Sequence, residues 1–256
     1  MSQSEEWFHR FFSGIYARVL RLAFSEARTR QQVRTIKSLL GLWRGRRVLD
    51  IPCGMGRLTI PLAKAGLAMT GVDLTAGYVR RARRQAAEAG LAVRFVQADM
   101  RRIEFDSEFD AALNWFTSIG YFSDEEELDF CRRVLRALKP GGRFLVETLN
   151  KTWLLPRFVR RKRDQVGDVE IIHCSRWDAA SSRTADTWTF RRSGTVERHR
   201  ISLRLYSAPD LRKLLAAAGF RDLRAFGVPA PGAPAYPLGP ATRHSRRIIV
   251  VGRRPE

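Results

Sequence analysis

Between residues 46 and 150, short apolar runs alternate with amphipathic stretches, and this alternation constrains the chain more than any other feature. Runs at Arg46–Ile51, Ala68–Asp73, Ala92–Gln97, Phe109–Asn114 and Arg143–Leu149 read as strands. Between them lie a helix near 56–65 stopped by Gly66, one N-capped by Thr75 and ended by Gly90, and one opened by a Ser123/Glu126 capping box. The last is expected to bury Leu128, Cys131, Leu135 and Leu138 until Pro140-Gly-Gly142 breaks it. Such repetition gives an α/β fold, a parallel sheet with helices on both faces.

The flanks differ. Residues 6–23 place Phe8, Phe11, Phe12, Ile15, Val19 and Leu22 at helical spacing, and a second helix near 28–42 carries Val33, Ile36 and Leu40. After residue 150 come three β-type runs without helices: Val169–Trp177, Thr184–Phe190 and Arg198–Tyr206. Ile201, Leu203 and Leu205 alternate there with polar residues, as in an antiparallel sheet with one buried face. A helix restarts at Ser207, residues 227–242 form a loop with five of the eleven prolines, and Arg247–Gly252 is a closing strand. We expect one domain over 1–256: a helical cap (1–45), a core (46–150), a β insertion (151–206) and a segment completing the core (207–256).

Composition excludes several classes. The 256 residues are 45% hydrophobic and 28% charged, ordinary for a globular protein. Cys53, Cys131 and Cys174 are too few and too scattered for a disulfide framework or a Cys-x-x-Cys zinc site, and they suit a reducing, cytoplasmic setting. No apolar run is long enough for a membrane span, and no His/Asp/Glu cluster has metal-ligand spacing. The net charge is +20, and 40 of the 46 basic residues are arginine. They are spread along the whole chain with one run at Arg157–Arg163, which reads as solvated faces rather than a nucleic-acid site.

One motif carries chemistry: Val48-Leu-Asp50-Ile-Pro52-Cys53-Gly54-Met-Gly56-Arg57, followed by Thr70-Gly-Val-Asp73-Leu74. A strand ends in an acid, the chain turns through Gly-x-Gly, and a helix begins. Glycine there lets backbone approach a ligand closely. Nineteen residues after Gly54, Asp73 ends the next strand, where a carboxylate can accept from both hydroxyls of a ribose. The nicotinamide fingerprint is absent, since Thr59 stands where it requires glycine. An acid just before the turn suits a ligand with a cationic amino acid moiety better than a pyrophosphate.

With these residues the sequence resembles the class I S-adenosylmethionine-dependent methyltransferases, in particular bacterial members reading Leu-Asp-x-Pro-Cys-Gly-x-Gly-Arg. The resemblance extends to Val96-Gln-Ala98-Asp99-Met100, Asn114-Trp115-Phe-Thr-Ser-Ile-Gly-Tyr121-Phe and Leu138-Lys-Pro-Gly-Gly-Arg-Phe-Leu-Val-Glu147. It implies a Rossmann-like sheet, S-adenosyl-L-methionine as cofactor, and transfer to N, O or C of a small organic acceptor. By the same resemblance Asp50, Pro52, Cys53, Gly54, Gly56 and Arg57 would hold the methionine portion. Asp73 with Leu74 would take the ribose, and Ala98, Asp99 and Met100 would frame the adenine. Asn114 and Trp115 would flank the methyl end, with Tyr16 on a helix that lids the cofactor. Many members have glycine where Pro52 and Arg57 stand.

For the acceptor side, His173 and Tyr121 are the candidate catalytic residues, with His199, Tyr206 and Glu147 as further possible bases. Asn114-Trp-Phe-Thr replaces the Asn-Pro-Pro-Tyr of adenine-amino methylation, and no paired cysteines suggest cytosine chemistry. The alternatives are an RNA or protein methyltransferase using the basic surface, or a cofactor-binding protein without turnover. The β insertion is expected to roof the acceptor, although an exposed antiparallel edge would equally suit a homodimer.

Overall fold

The computed structural model describes residues 7–228 and 238–256. Five parallel strands form the centre: β1 (Arg47–Asp50), β2 (Ala68–Asp73), β3 (Arg94–Gln97), β4 (Phe109–Asn114) and β5 (Leu138–Leu149). β10 (Arg221–Val228), β11 (Gly239–Pro240) and β12 (Arg247–Arg253) extend it through antiparallel pairings, giving the order β11-β10-β12-β5-β4-β1-β2-β3. The strand order reverses between β1 and β4, which opens a crevice at their carboxyl ends.

Both faces of this sheet are covered, because alternate residues of a strand point to opposite sides. Leu49, Ile248 and Val250 join the core under α6 (Asp124–Ala137) and α8 (Ala208–Ala217). Val48, Ile249 and Val251 join the core under α3 (Glu26–Leu40) and α4 (Thr59–Lys64). On α5 (Ala76–Glu88), Val79, Ala82 and Ala86 pack on Cys53 and Phe95. The chain is thus a mixed α/β Rossmann-like fold with a separate antiparallel sheet.

That second sheet follows a short α7 (Lys151–Leu154) and has the order β6 (Arg161–Val166), β7 (Val169–Asp178), β8 (Arg183–Arg192), β9 (Thr195–Arg204). It has four strands rather than the three expected. β6 reads Arg-Lys-Arg-Asp-Gln-Val, with no apolar alternation to reveal it, because it is an exposed edge. Its inner face packs on the N-terminal helices, where Phe11 and Val19 meet Val169, Ile171 and Phe190.

The expected single helix over 6–23 is two, α1 (Trp7–Ser13) and α2 (Tyr16–Leu22). At the break, the Ile15 amide donates to the Glu197 carboxylate at 2.8 Å, and a Cβ on Gly14 would overlap that carboxylate. Leu22, expected on the buried stripe, is 49% exposed. On α6 the buried face is Phe130, Cys131, Val134 and Ala137, with Leu128 and Leu135 only partly covered. Pro140-Gly-Gly142 lies within β5, which begins at Leu138. Most of the proline-rich loop at 227–242 lies outside the described residues. Among those described, no helix is long and apolar enough to cross a membrane.

Candidate functional site

The Gly-x-Gly turn leaves β1 over a cavity of about 660 Å³, into which the ends of β1, β2 and β3 all lead. Asp50 lines it and is 2% exposed, with one oxygen accepting from the Thr59 hydroxyl at 2.6 Å. Burial pushes its carboxyl up to about 7, against the hydrogen bond from Thr59 and the positive field of Arg57. A buried acid in this condition gains most from a cationic partner. Gly54 has φ +57 and open space where a Cβ would stand, so backbone faces the cavity directly.

Asp73 is a hub. Its two oxygens accept from the Gly54 and Thr75 amides, each at 2.8 Å, which ties the first turn to the start of α5. Thr75 occupies the N-cap position as expected, but its side chain makes no cap bond, and its own amide donates to Asp73. Burial raises the Asp73 carboxyl despite those two donors. Each oxygen retains a lone pair for a diol. Asp99 accepts from the Arg101 amide at 2.9 Å and from its guanidinium at 2.7 Å. Burial works to raise it, and the Arg101 bonds outweigh burial and hold it low.

Leu74, Ala98, Met100, Pro52, Cys53 and Arg57 also line the cavity. Arg57 donates to Gln32 at 2.6 Å and lies over the Phe24 ring at 4.0 Å; burial brings its pKa down to about 10. Tyr16 and Tyr121 line the cavity from α2 and from the loop after β4. Burial pushes the Tyr16 phenol up to about 12 and raises that of Tyr121 further.

Several expected residues lie elsewhere. Gly56 does not line the cavity; a Cβ there would meet Ile60 at 3.0 Å and Ala82 at 3.3 Å, so its glycine serves the packing of α4 on α5. Asn114 is fully buried behind the wall, donating to the carbonyls of Ile51 (2.9 Å) and Ser118 (3.1 Å). It fixes the loop that carries Trp115, which does face the cavity. His173 lies on the insertion, against Trp188 at 4.0 Å and Asp164 at 3.5 Å, with burial lowering its pKa, and does not reach the cavity. Nor do His199, beside Glu197, or Tyr206, in the core. Glu147 is ion-paired with Arg247 and accepts from the Phe116 amide at 2.8 Å, so it is a buttress rather than a base. Trp188 and Phe190 pack on Tyr16, one layer behind the cavity.

Among the wall residues that escaped the sequence reading are Tyr78, Phe116 and Arg21. Tyr78 is 6% exposed and its hydroxyl has no partner; the Trp115 indole N–H is likewise unmet. Tyr78 heads the buried stripe Tyr78-Val79-Ala82-Ala86, so helical spacing from Thr75 could have shown it. Phe116 and Thr117 hold φ of +66° and +59°, which no spacing rule reveals.

Residues 48–142 match the family described as Methyltransferase domain. A curated relative, an uncharacterized protein of Mycobacterium tuberculosis, is 37% identical over 116 residues, 45% of this chain and 40% of its own length. The chain therefore spans about two fifths of the curated relatives it matches. Among solved structures, an S-adenosylmethionine-dependent methyltransferase of Clostridium acetobutylicum is 18% identical, covering 96% of this chain and 98% of its own, with TM-score 0.74. The Burkholderia thailandensis 1,6-didemethyltoxoflavin N1-methyltransferase is 20% identical, covering 100% and 92%, with TM-score 0.64. Residues 48–142 thus match a methyltransferase domain, and the chain shares its fold with solved S-adenosylmethionine-dependent methyltransferases.

Proposed function

We propose that this protein is an S-adenosylmethionine-dependent methyltransferase acting on a small organic acceptor. The observation that carries the reading is the convergence of Asp50, the Gly54 backbone, Asp73 and Asp99 on one cavity. These residues fit the cofactor by their chemistry: a buried acid short of a cation, an open backbone cradle at Gly54, and a carboxylate with lone pairs to spare for a diol. When bound, the sulfonium supplies an electrophilic methyl group.

The chain's own work is to bind, align and keep dry. Asp50 would hold the amino group, Asp73 the ribose and Asp99 the adenine edge, with Trp115 and Phe116 closing the side toward the methyl. Tyr16, on α2, and Tyr121 narrow the opposite wall, so the acceptor reacts away from water in a fixed orientation. The Burkholderia protein, of the same fold, was solved with a small heterocycle bound, which supports a small-molecule acceptor here. The test is release of S-adenosylhomocysteine across a panel of small hydroxy and amino compounds beside total RNA. We expect release with a small molecule; release with RNA alone would overturn the acceptor class.

A further inference from the structure

We propose that the acceptor is a planar aromatic molecule carrying an acidic hydroxyl, bound as its oxyanion with Arg21 as counter-charge and Tyr78 as hydrogen-bond donor. The inference rests on the methyltransferase reading and narrows it.

The parts of the cavity wall differ in chemistry. One carries the carboxylates at the strand ends. The rest of the wall, from α1, α2, the turn after α2 and the loop after β4, presents Phe12, Tyr16, Phe24 and Phe116 with Leu20. Rings in such numbers favour a flat partner that can stack or meet them edge-on. A polyhydroxylated ring would leave its hydroxyls without partners against them.

The wall also selects the reacting atom. No histidine lines it among the described residues, and each carboxylate there is committed, Asp50, Asp73 and Asp99 to the cofactor on the reading above and Glu26 to Arg30. Asp50 takes the Thr59 hydroxyl, Asp73 two amides, Asp99 the Arg101 guanidinium, and Glu26 pairs with Arg30 at 3.1 Å. The acceptor must therefore ionise without a dedicated base, as an acidic phenol or enol does and an aliphatic alcohol does not. Arg21 supplies the charge to favour this. It lines the cavity, and among the described residues no carboxylate stands within ion-pair distance of it. A protonated amine would meet repulsion at the same place. Tyr78 adds the donor: its buried hydroxyl has no partner, and such a group calls for one. Burial raises its phenol, so it stays neutral and able to donate.

The step balances. The hydroxyl proton goes to solvent on binding, and an oxygen lone pair forms the new bond to the methyl carbon. The carbon–sulfur bond breaks with its electron pair going to sulfur. Anion and sulfonium become a neutral ether and a neutral thioether.

The test uses the full chain saturated with S-adenosylhomocysteine and two probes of matched shape, 7-hydroxycoumarin and 7-aminocoumarin, followed by absorbance and fluorescence. The hydroxyl probe should bind more tightly than the amine. Once bound, it should ionise at a pH about one unit or more below that of the free probe. Arg21→Met should weaken the hydroxyl probe about tenfold or more and remove that displacement, with Arg21→Lys restoring most of it. Tighter binding of the amine, a bound hydroxyl ionising no more easily than free, or an Arg21→Met protein behaving as wild type would each overturn the inference. If S-adenosylhomocysteine itself fails to bind, the methyltransferase reading falls and takes this one with it. If it binds and the probes contradict, only the acceptor class is wrong.

Discussion

Asp50 and Asp73 both line the cavity, and a change in each has a different consequence. In the free protein the Asp50 carboxyl is raised by burial to about 7, far above its unfolded value. A raised acid stabilises the fold at low pH and loses that contribution as pH climbs through its folded pKa. An ammonium ligand reverses the preference, so binding below pH 7 should release a proton and affinity should rise with pH until it flattens above about 7. Calorimetry in two buffers of different ionisation enthalpy measures that proton; none released at pH 6 would contradict the assignment. Asp73→Ala should weaken S-adenosylhomocysteine by about 1.5–3 kcal/mol, the worth of hydrogen bonds to a charged group. It should also loosen the turn, since the Gly54 and Thr75 amides lose their acceptor. The turn was legible because acid, glycine and spacing are properties of the residues themselves. His173 was misplaced because strand alternation gives two faces without saying what either meets: it faces Trp188. Gly56 takes the turn dihedral that suits glycine, with φ +80°, but the space beside it is closed by Ile60 and by Ala82 on a helix twenty-odd positions away, which spacing does not show.

At the scale of elements, the loop after β4 is where the two sheets meet the cavity. On α6, the fully buried Glu127 accepts from the Gly120 and Phe122 amides at 2.7 and 3.1 Å. From β8, Arg183 donates to the carbonyls of the same two residues, and the Arg204 amide of β9 donates to Gly120 at 2.8 Å. Tyr121 sits between the gripped residues, so the insertion reaches the cavity wall through this loop rather than by roofing it with its own side chains. Glu127→Ala should cost about 1–3 kcal/mol for each amide left unmet, with Glu127→Gln costing less because one acceptor oxygen remains; urea unfolding reads both. Equal stability of wild type and the alanine variant would refute the clamp. Gly120→Ala should be as damaging, because φ is +97° and a Cβ would overlap the Arg204 carbonyl. The five parallel strands were readable since each is apolar and bounded by turn residues. β6 and β10 were not: the first is wholly polar at an edge, and Arg-Asp-Leu-Arg-Ala-Phe-Gly-Val buries too little to show a period.

Over the whole molecule the net charge is +20, and strand register brings part of it together on one face in a way that chain order does not show. The outward face of the second sheet aligns Arg161, Cys174, Thr187 and Arg200 in register, and Arg176 and Arg198 are exposed on the same face. The face is basic and lacks aromatic stacking residues, so its contact with RNA should be weak and fade toward physiological salt. A filter-binding titration against salt checks this, and tight binding that survives high salt would favour the RNA reading over a small acceptor. More basic still is the proposal that the cavity at the carboxyl ends of β1, β2 and β3 is where the cofactor binds. Titration calorimetry of S-adenosylhomocysteine into wild type and Gly54→Val tests it most directly, because a branched side chain at Gly54 would fill space that is open now. Circular dichroism would verify that the variant stays folded. One saturable site in the wild type that vanishes in a folded Gly54→Val is the result predicted; no binding by the wild type, or equal binding by both, would contradict it.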